Sequence, residues 1–204
     1  MGKQSVTVIG SGTASVSPDV VRLDLRVGHE APEVASALSG AAAQVATVGS
    51  LLREHGVADG DIRTIDTNVH QRFDNTGGAV GFTAEQRLGV VVRDLDLVGT
   101  ILEAAASGVG NALLVDGVRL DVADRSGGLR RARDAAFADA KDKAEQYAAL
   151  SGSDLGEVLE VAESGAVPVP MPRMALAARD TAAMPMEGGD LELHATVTIR
   201  WRLG

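Results

Sequence analysis

The stretch GGLRRARDAAFADAKDKAEQYAALS, residues 127–151, decides how this chain folds. Ala132, Ala136, Ala140, Ala144 and Ala148 recur every four residues, flanked by Leu129, Phe137 and Tyr147, with charges on the other faces. A four-residue recurrence marks one face of a helix. A face of methyl groups lets the helix axis come close to whatever it packs on. The spacing predicts a long helix over 127–151, laid on a sheet or another helix and stopped by Gly152.

A helix of this kind needs a surface to lie on, and the clearest candidate is the end of the chain. Leu191, Leu193, Ala195, Val197, Ile199, Trp201 and Leu203 alternate with Glu192, His194, Thr196, Thr198, Arg200 and Arg202. Strict period two is a half-buried strand. At ~3.3 Å per residue it would reach about 40 Å, against a usual strand of about five or six residues. It must pair with long partners or extend into a neighbouring subunit.

The remainder reads as further strands and two more helices. Residues 5–11 form a first strand, followed by a Gly/Ser stretch ending at Pro18-Asp19. Val21, Leu23, Leu25 and Val27 alternate with Arg22, Asp24 and Arg26 in a second strand. Val34, Leu38, Ala41, Val45, Val48 and Leu52 form a helical stripe after Pro32, closed by Gly56. Residues 62–73, with Ile65, Val69 and Phe73, and residues 81–93, with Phe82, Ala84, Leu88, Val90 and Val92, flank the turn Asp74-Asn75-Thr76-Gly77-Gly78. They predict a long β-hairpin with an exposed tip. Asp94 or Asp96 caps a short helix through Leu95, Val98, Leu102 and Ala105. Strands follow over 113–122 and 155–163. Strand, long helix, glycine and strand occur at 20–73 and again at 113–163, a faint internal echo. Residues 164–189 hold Pro168, Pro170, Pro172 and Pro185 with no sustained period, an irregular loop. The sum is one α+β domain over 1–204, with long antiparallel strands, two long helices and one short helix.

Composition excludes several functions. With no cysteine there is no disulfide, thiolate metal site or cysteine nucleophile. A net charge of −9 and no Lys/Arg block beyond Arg130-Arg131 argue against nucleic-acid binding. Aromatic content of 2% leaves too few rings for base or sugar stacking. The start Met1-Gly2-Lys3-Gln4 shows no leader, and no run reaches the ~18 apolar residues of a membrane span. The expected location is cytoplasmic as the sequence stands, and periplasmic or secreted if a leader had been removed.

Several segments together resemble the SIMPL-domain family of bacterial periplasmic immunogenic and oxidative-stress-defence proteins. They are Val8-Ile9-Gly10-x-Gly12-x-Ala14-x-Val16-x-Pro18-Asp19, Gly56 with Asp61-Ile62-x-Thr64, and Leu95-x-x-Val98-Gly99-x-Ile101. To these are added Ala132-x-x-Ala135 leading to Lys143-Ala144-x-x-Tyr147-Ala148, and Gly152-x-x-Leu155-Gly156-x-Val158. The resemblance covers nearly the whole chain. It implies an α+β fold, ring-like or channel-like homo-oligomers, and no catalytic residues. The animal member that names the family is an adaptor in kinase signalling.

The search for chemistry gives little. Gly10-x-Gly12 lacks the third glycine of a dinucleotide fingerprint, and Pro18 interrupts the helix that should open there. His29, His55, His70 and His194 form no metal-ligand spacing. No Gly-x-Ser-x-Gly elbow occurs. The unusual cluster is Met171, Met174, Met184 and Met186, interleaved with prolines. Thioethers can ligate Cu(I), take up oxidant as sulfoxide, or pack adaptably on a neighbour. The expected function is non-enzymatic self-assembly, possessing a link to stress defence through the resemblance, with no cofactor and no nucleic acid. Met171, Met174, Met184, Met186 and Trp201 are the interface candidates. The alternative is a small-ligand or soft-metal binder using those methionines.

Overall fold

The structure, a computed structural model, describes residues 4–164 and 189–204. Most of the irregular loop expected at 164–189, with all four of its methionines, lies outside the described residues. The described residues group into two compact units, one of residues 4–18, 122–164 and 189–204, the other of residues 19–121.

The first unit is a three-stranded antiparallel sheet with one helix. Strand β1 (Ser5–Val16) precedes the second unit in the chain, and helix α3 (Ser126–Leu150), β6 (Leu155–Ser164) and β7 (Leu191–Leu203) follow it. The order is β1-β7-β6. The closing strand is the centre of this sheet, paired with β1 from Ser5↔Arg202 to Val16↔Leu191 and with β6 on its other side. Its unusual length is matched inside the chain along β1, and on the β6 side from Thr196 to Leu203.

The alanine stripe does what its spacing predicts. Ala132, Ala136, Ala140, Ala144 and Ala148 are all buried, the first four packed with Val8, Ala14, Ala195, Val197, Ile199 and Trp201. The expected break after residue 11 does not occur. Strand β1 runs through its Gly/Ser stretch because that stretch lies under α3. A Cβ at Gly10 would stand 2.1 Å from the Ala136 carbonyl oxygen, and one at Gly12 2.1 Å from that of Ala132. Only hydrogen fits there. Gly152, at φ +69°, ends the helix in the left-handed region that favours glycine.

The second unit is a four-stranded antiparallel sheet with two helices. Its elements are β2 (Val20–Ala31), α1 (Val34–Glu54), β3 (Ile62–Phe73), β4 (Ala79–Val92), α2 (Val98–Val109) and β5 (Leu113–Asp121), in sheet order β3-β4-β2-β5. Val21, Leu23, Leu25 and Val27 join Leu88, Val90 and Val92 under Val48, Leu52, Val98 and Ile101. The internal echo is not a structural repeat, because β5 belongs to this sheet and β6 to the other.

Helix α1 departs from its expected stripe in its first half. Ala37 and Ala41 are buried, whereas Val34 and Leu38 are exposed. The helix approaches the sheet closely there, against Ala84 and Phe82, and Gly40 leaves a notch filled by the His29 ring. By length and composition α1 would also serve as a membrane span, at mean hydropathy 1.3 over 18 residues. Its hydropathy comes from valine and leucine together with alanine, and one face of it lies on the sheet.

The other face of this sheet carries charge, and the charge specifies register. Arg22 stands directly opposite Arg119, and Arg26 opposite Arg87. Like charges so placed repel. Neighbouring carboxylates resolve both conflicts. Arg22 pairs with Asp121, and Arg119 with Asp24 at 2.8 Å. Arg26 meets Asp116 at 2.7 Å and Arg87 meets Asp66 at 3.4 Å. Asp116 is the extra residue of a β-bulge between Asp24↔Gly117 and Leu25↔Val115, which turns its carboxylate onto the arginines. Exposed pairs of this kind contribute about 0–1 kcal/mol each. Their larger effect is on register, because a one-residue slip would turn these charged side chains toward the face that packs under the helices.

The hairpin tip is built by one side chain. Asp74 Oδ1 accepts from the backbone N–H groups of Thr76 at 2.9 Å and Gly78 at 2.8 Å, and from the Thr76 hydroxyl at 2.7 Å. These bonds, the Thr76 hydroxyl first, hold its carboxyl below the usual carboxylate range.

Two outcomes are expected. Gly12→Ala should lower unfolding stability in urea by about 3 kcal/mol through overpacking, whereas Gly99→Ala, with open space around it, should raise it by about 0.5 kcal/mol. Because the folded pKa of Asp74 is depressed, the tip's stabilisation is complete above the ordinary carboxylate pKa of about 3.9 and is lost as pH falls through the folded value. Amide exchange of Thr76 and Gly78, followed by NMR down an acid titration, should speed up only in that lower range.

Candidate functional site

Among the described residues no three histidine or carboxylate groups converge to hold a metal ion. His55 sits at the end of α1, its Nδ1 2.8 Å from the Leu51 carbonyl oxygen. His29 lies in the Gly40 notch. His70 is on exposed β3, and His194 on β7 opposite Thr13. None of the four belongs to such a cluster, so the site to consider is a surface.

Each sheet has two edge strands, and their outer backbone groups meet different surroundings. In the second unit β3 is an edge of 12 residues, almost wholly exposed. Ile62 packs against the core, but Ile65, Val69 and Phe73 do not enter it as the alternation predicts. Val69 is 39% exposed and Phe73 62%. The reason is position. An edge strand has one neighbour, and a bulge at Ile65, between Thr64↔Leu88 and Asp66↔Arg87, shifts its face. The opposite edge, β5, exposes Leu114 and Val115.

In the first unit β6 is likewise open. Val158, Leu159 and Val161 are exposed along it. Val158 and Val161 stand opposite Trp201 and Ile199 of β7. The helix lies mainly over β1 and β7, so among the described residues nothing covers this side of β6. Its three glutamates are each tied to arginine: Glu157 to Arg202, Glu160 to Arg200, and Glu163 to Arg133.

The β1 edge is different. Ser11 N–H donates to Asp139 Oδ2 at 2.8 Å, Lys143 Nζ donates to the Ile9 carbonyl oxygen at 3.0 Å, and Arg131 Nη2 to that of Ser15 at 3.2 Å. Asp139 and Lys143 are themselves joined at 2.6 Å. The Lys143 ammonium first, then the Ser11 amide, hold the Asp139 carboxyl below its ordinary range.

Of the sequence-derived interface candidates, Met171, Met174, Met184 and Met186 lie outside the described residues. Trp201 is 3% exposed, enclosed in the first unit with its ring edge-on to Phe137 at 6.3 Å between centroids. An indole facing the helix side of a central strand is covered by that helix, so its area is buried within the chain. What sequence reasoning missed is the set of open edges with exposed Ile65, Val69 and Phe73, Leu114 and Val115, and Val158 and Val161. Alternation marks such residues as apolar. It does not mark which strand will lie at the end of a sheet.

Comparison with known proteins agrees with the fold. Two relatives are each 28% identical over 212 residues, covering 95% of this chain and 82% of the relative. They are the 26 kDa periplasmic immunogenic proteins of Brucella melitensis biotype 1 and of Brucella abortus strain S19. Their names place them in the periplasm, which gives no support to the cytoplasmic location expected from the start of this sequence. The SIMPL family, described as protein of unknown function (DUF541), matches residues 6–201. The chain therefore belongs to the SIMPL family.

Proposed function

We propose that this chain is a non-enzymatic assembly module whose subunits join through open strand edges, and that it works in the periplasm like its relatives. The observation that supports this is β3, a 12-residue edge carrying exposed Val69 and Phe73. An edge strand presents a row of unpaired N–H and C=O groups, a template for another chain. Natural edges are usually blunted by brevity, proline or inward charge. This one is long, lacks proline and exposes Ile65, Val69 and Phe73. Edges β5 and β6 provide further contacts of the same kind. A pairing between two different edges would be heterologous, and heterologous contacts close into rings when the rotation permits.

Size-exclusion chromatography with light scattering tests this. The wild-type chain should run as a multiple of its 20.9 kDa mass. The double variant Val69→Lys, Phe73→Glu changes only exposed positions. It should keep the wild-type circular dichroism and fall to a smaller particle. A wild-type monomer at tens of micromolar would overturn the proposal. An undiminished particle in the folded variant would remove β3 from it.

A further inference from the structure

We propose that the flank of α3 facing β1 is a guard that closes this edge to strand addition, so that growth of an assembly is confined to the other edges. The inference deepens the assembly reading and rests on it for its purpose, though not for its geometry.

The geometry begins with the ladder. At the end of β1, Leu203 N–H donates to the Gln4 carbonyl oxygen at 2.9 Å. In an antiparallel pair, backbone groups of alternate residues turn toward the partner and the rest turn away. Even-numbered residues of β1 therefore bond β7, and odd-numbered residues face outward. The three backbone atoms met by α3 belong to Ile9, Ser11 and Ser15, all odd. They are the groups an added strand would use.

The helix meets them in register. Its contact residues, Arg131, Asp139 and Lys143, fall on one four-residue row. Four helical residues advance about 6 Å, and two strand residues about 6.8 Å. Each helical step of four therefore answers a strand step of two. Lys143 meets Ile9, Asp139 meets Ser11 and Arg131 meets Ser15, running antiparallel. Ala135, opposite Thr13 in this register, brings no polar group. The flank acts as a false neighbouring strand, with an acceptor opposite a donor and cations opposite carbonyl oxygens. A carboxylate bonded to both an ammonium and an N–H makes charge-assisted bonds, which are stronger than neutral ones. An incoming strand would have to displace them. Edges β3, β5 and β6 carry exposed apolar side chains, whereas β1 exposes Ile9 alone among its large apolar residues.

The test uses the full chain. Hydrogen–deuterium exchange resolved by NMR should show the Ser11 amide protected in wild type. It should exchange at least tenfold faster in Asp139→Ala, while Gly10 and Gly12, bonded to β7, stay protected. Asp139→Asn, which keeps an acceptor oxygen, should retain much of the protection. Light scattering should show the variant Arg131→Ala, Asp139→Ala, Lys143→Met growing with concentration beyond the wild-type mass. Adding Thr13→Pro, at an outward-facing N–H, should stop that growth. Lys143→Met keeps the aliphatic stem, so the unit should remain folded by circular dichroism. If the triple variant unfolds, Asp139→Ala with Lys143→Met alone is read in the same way. An unchanged Ser11 exchange rate in Asp139→Ala, or a freely exchanging edge with no added mass, would overturn the guard. A monomeric wild type would overturn the assembly reading alone, because the guard is read as a gain over wild type.

Discussion

The first unit depends on one close approach, that of the α3 backbone to the backbone of β1. Hydrogen atoms of Gly10 and Gly12 lie where any side chain would strike the Ala132 and Ala136 carbonyl oxygens. Alanine on the helix and glycine on the strand are two halves of one requirement. With both small, the helix settles low enough for its flanking side chains to reach the strand's outer backbone groups. With either side larger, Asp139, Lys143 and Arg131 would stand too far away. The core of this unit and the closure of its β1 edge therefore have a common cause.

The second unit is held differently. Branched aliphatic side chains fill the space between sheet and helices, and a lattice of arginine–carboxylate pairs covers the opposite face. The aliphatic face supplies stability, since apolar burial is the dominant favourable term. The charged face supplies discrimination, because each individual pair is weak while a slipped register is heavily penalised. β3 and β5 stand at the ends of this sheet, and Ile65, Val69, Phe73, Leu114 and Val115 on them remain exposed. Membership of the SIMPL family fits both units, since the family match spans residues 6–201.

Much of this was legible in the residues. The 127–151 helix, the closing strand, the hairpin with its Asp74 turn and the α+β class all follow from periodicity and turn chemistry. These are local properties, fixed by which positions repeat. Stripe details failed where packing distance intervened. Val34 and Leu38 read as core, but the first turns of α1 lie so close to the sheet that only Ala37 and Ala41 fit beneath. The Gly/Ser stretch of β1 reads as a loop, because nothing near it in sequence reveals a helix some 120 residues later.

Sequence alone determined most of the elements, the second half of β1 excepted, and the absence of thiol chemistry. Tertiary structure alone decided the order of strands in each sheet. From that order follows every statement about surface. Ile65, Val69 and Phe73 are exposed because β3 is last in its sheet, and Trp201 is buried because β7 is central in the other. An alternating strand has the same pattern at a centre as at an edge. Its neighbours, set by long-range pairing, determine which of its backbone groups remain free.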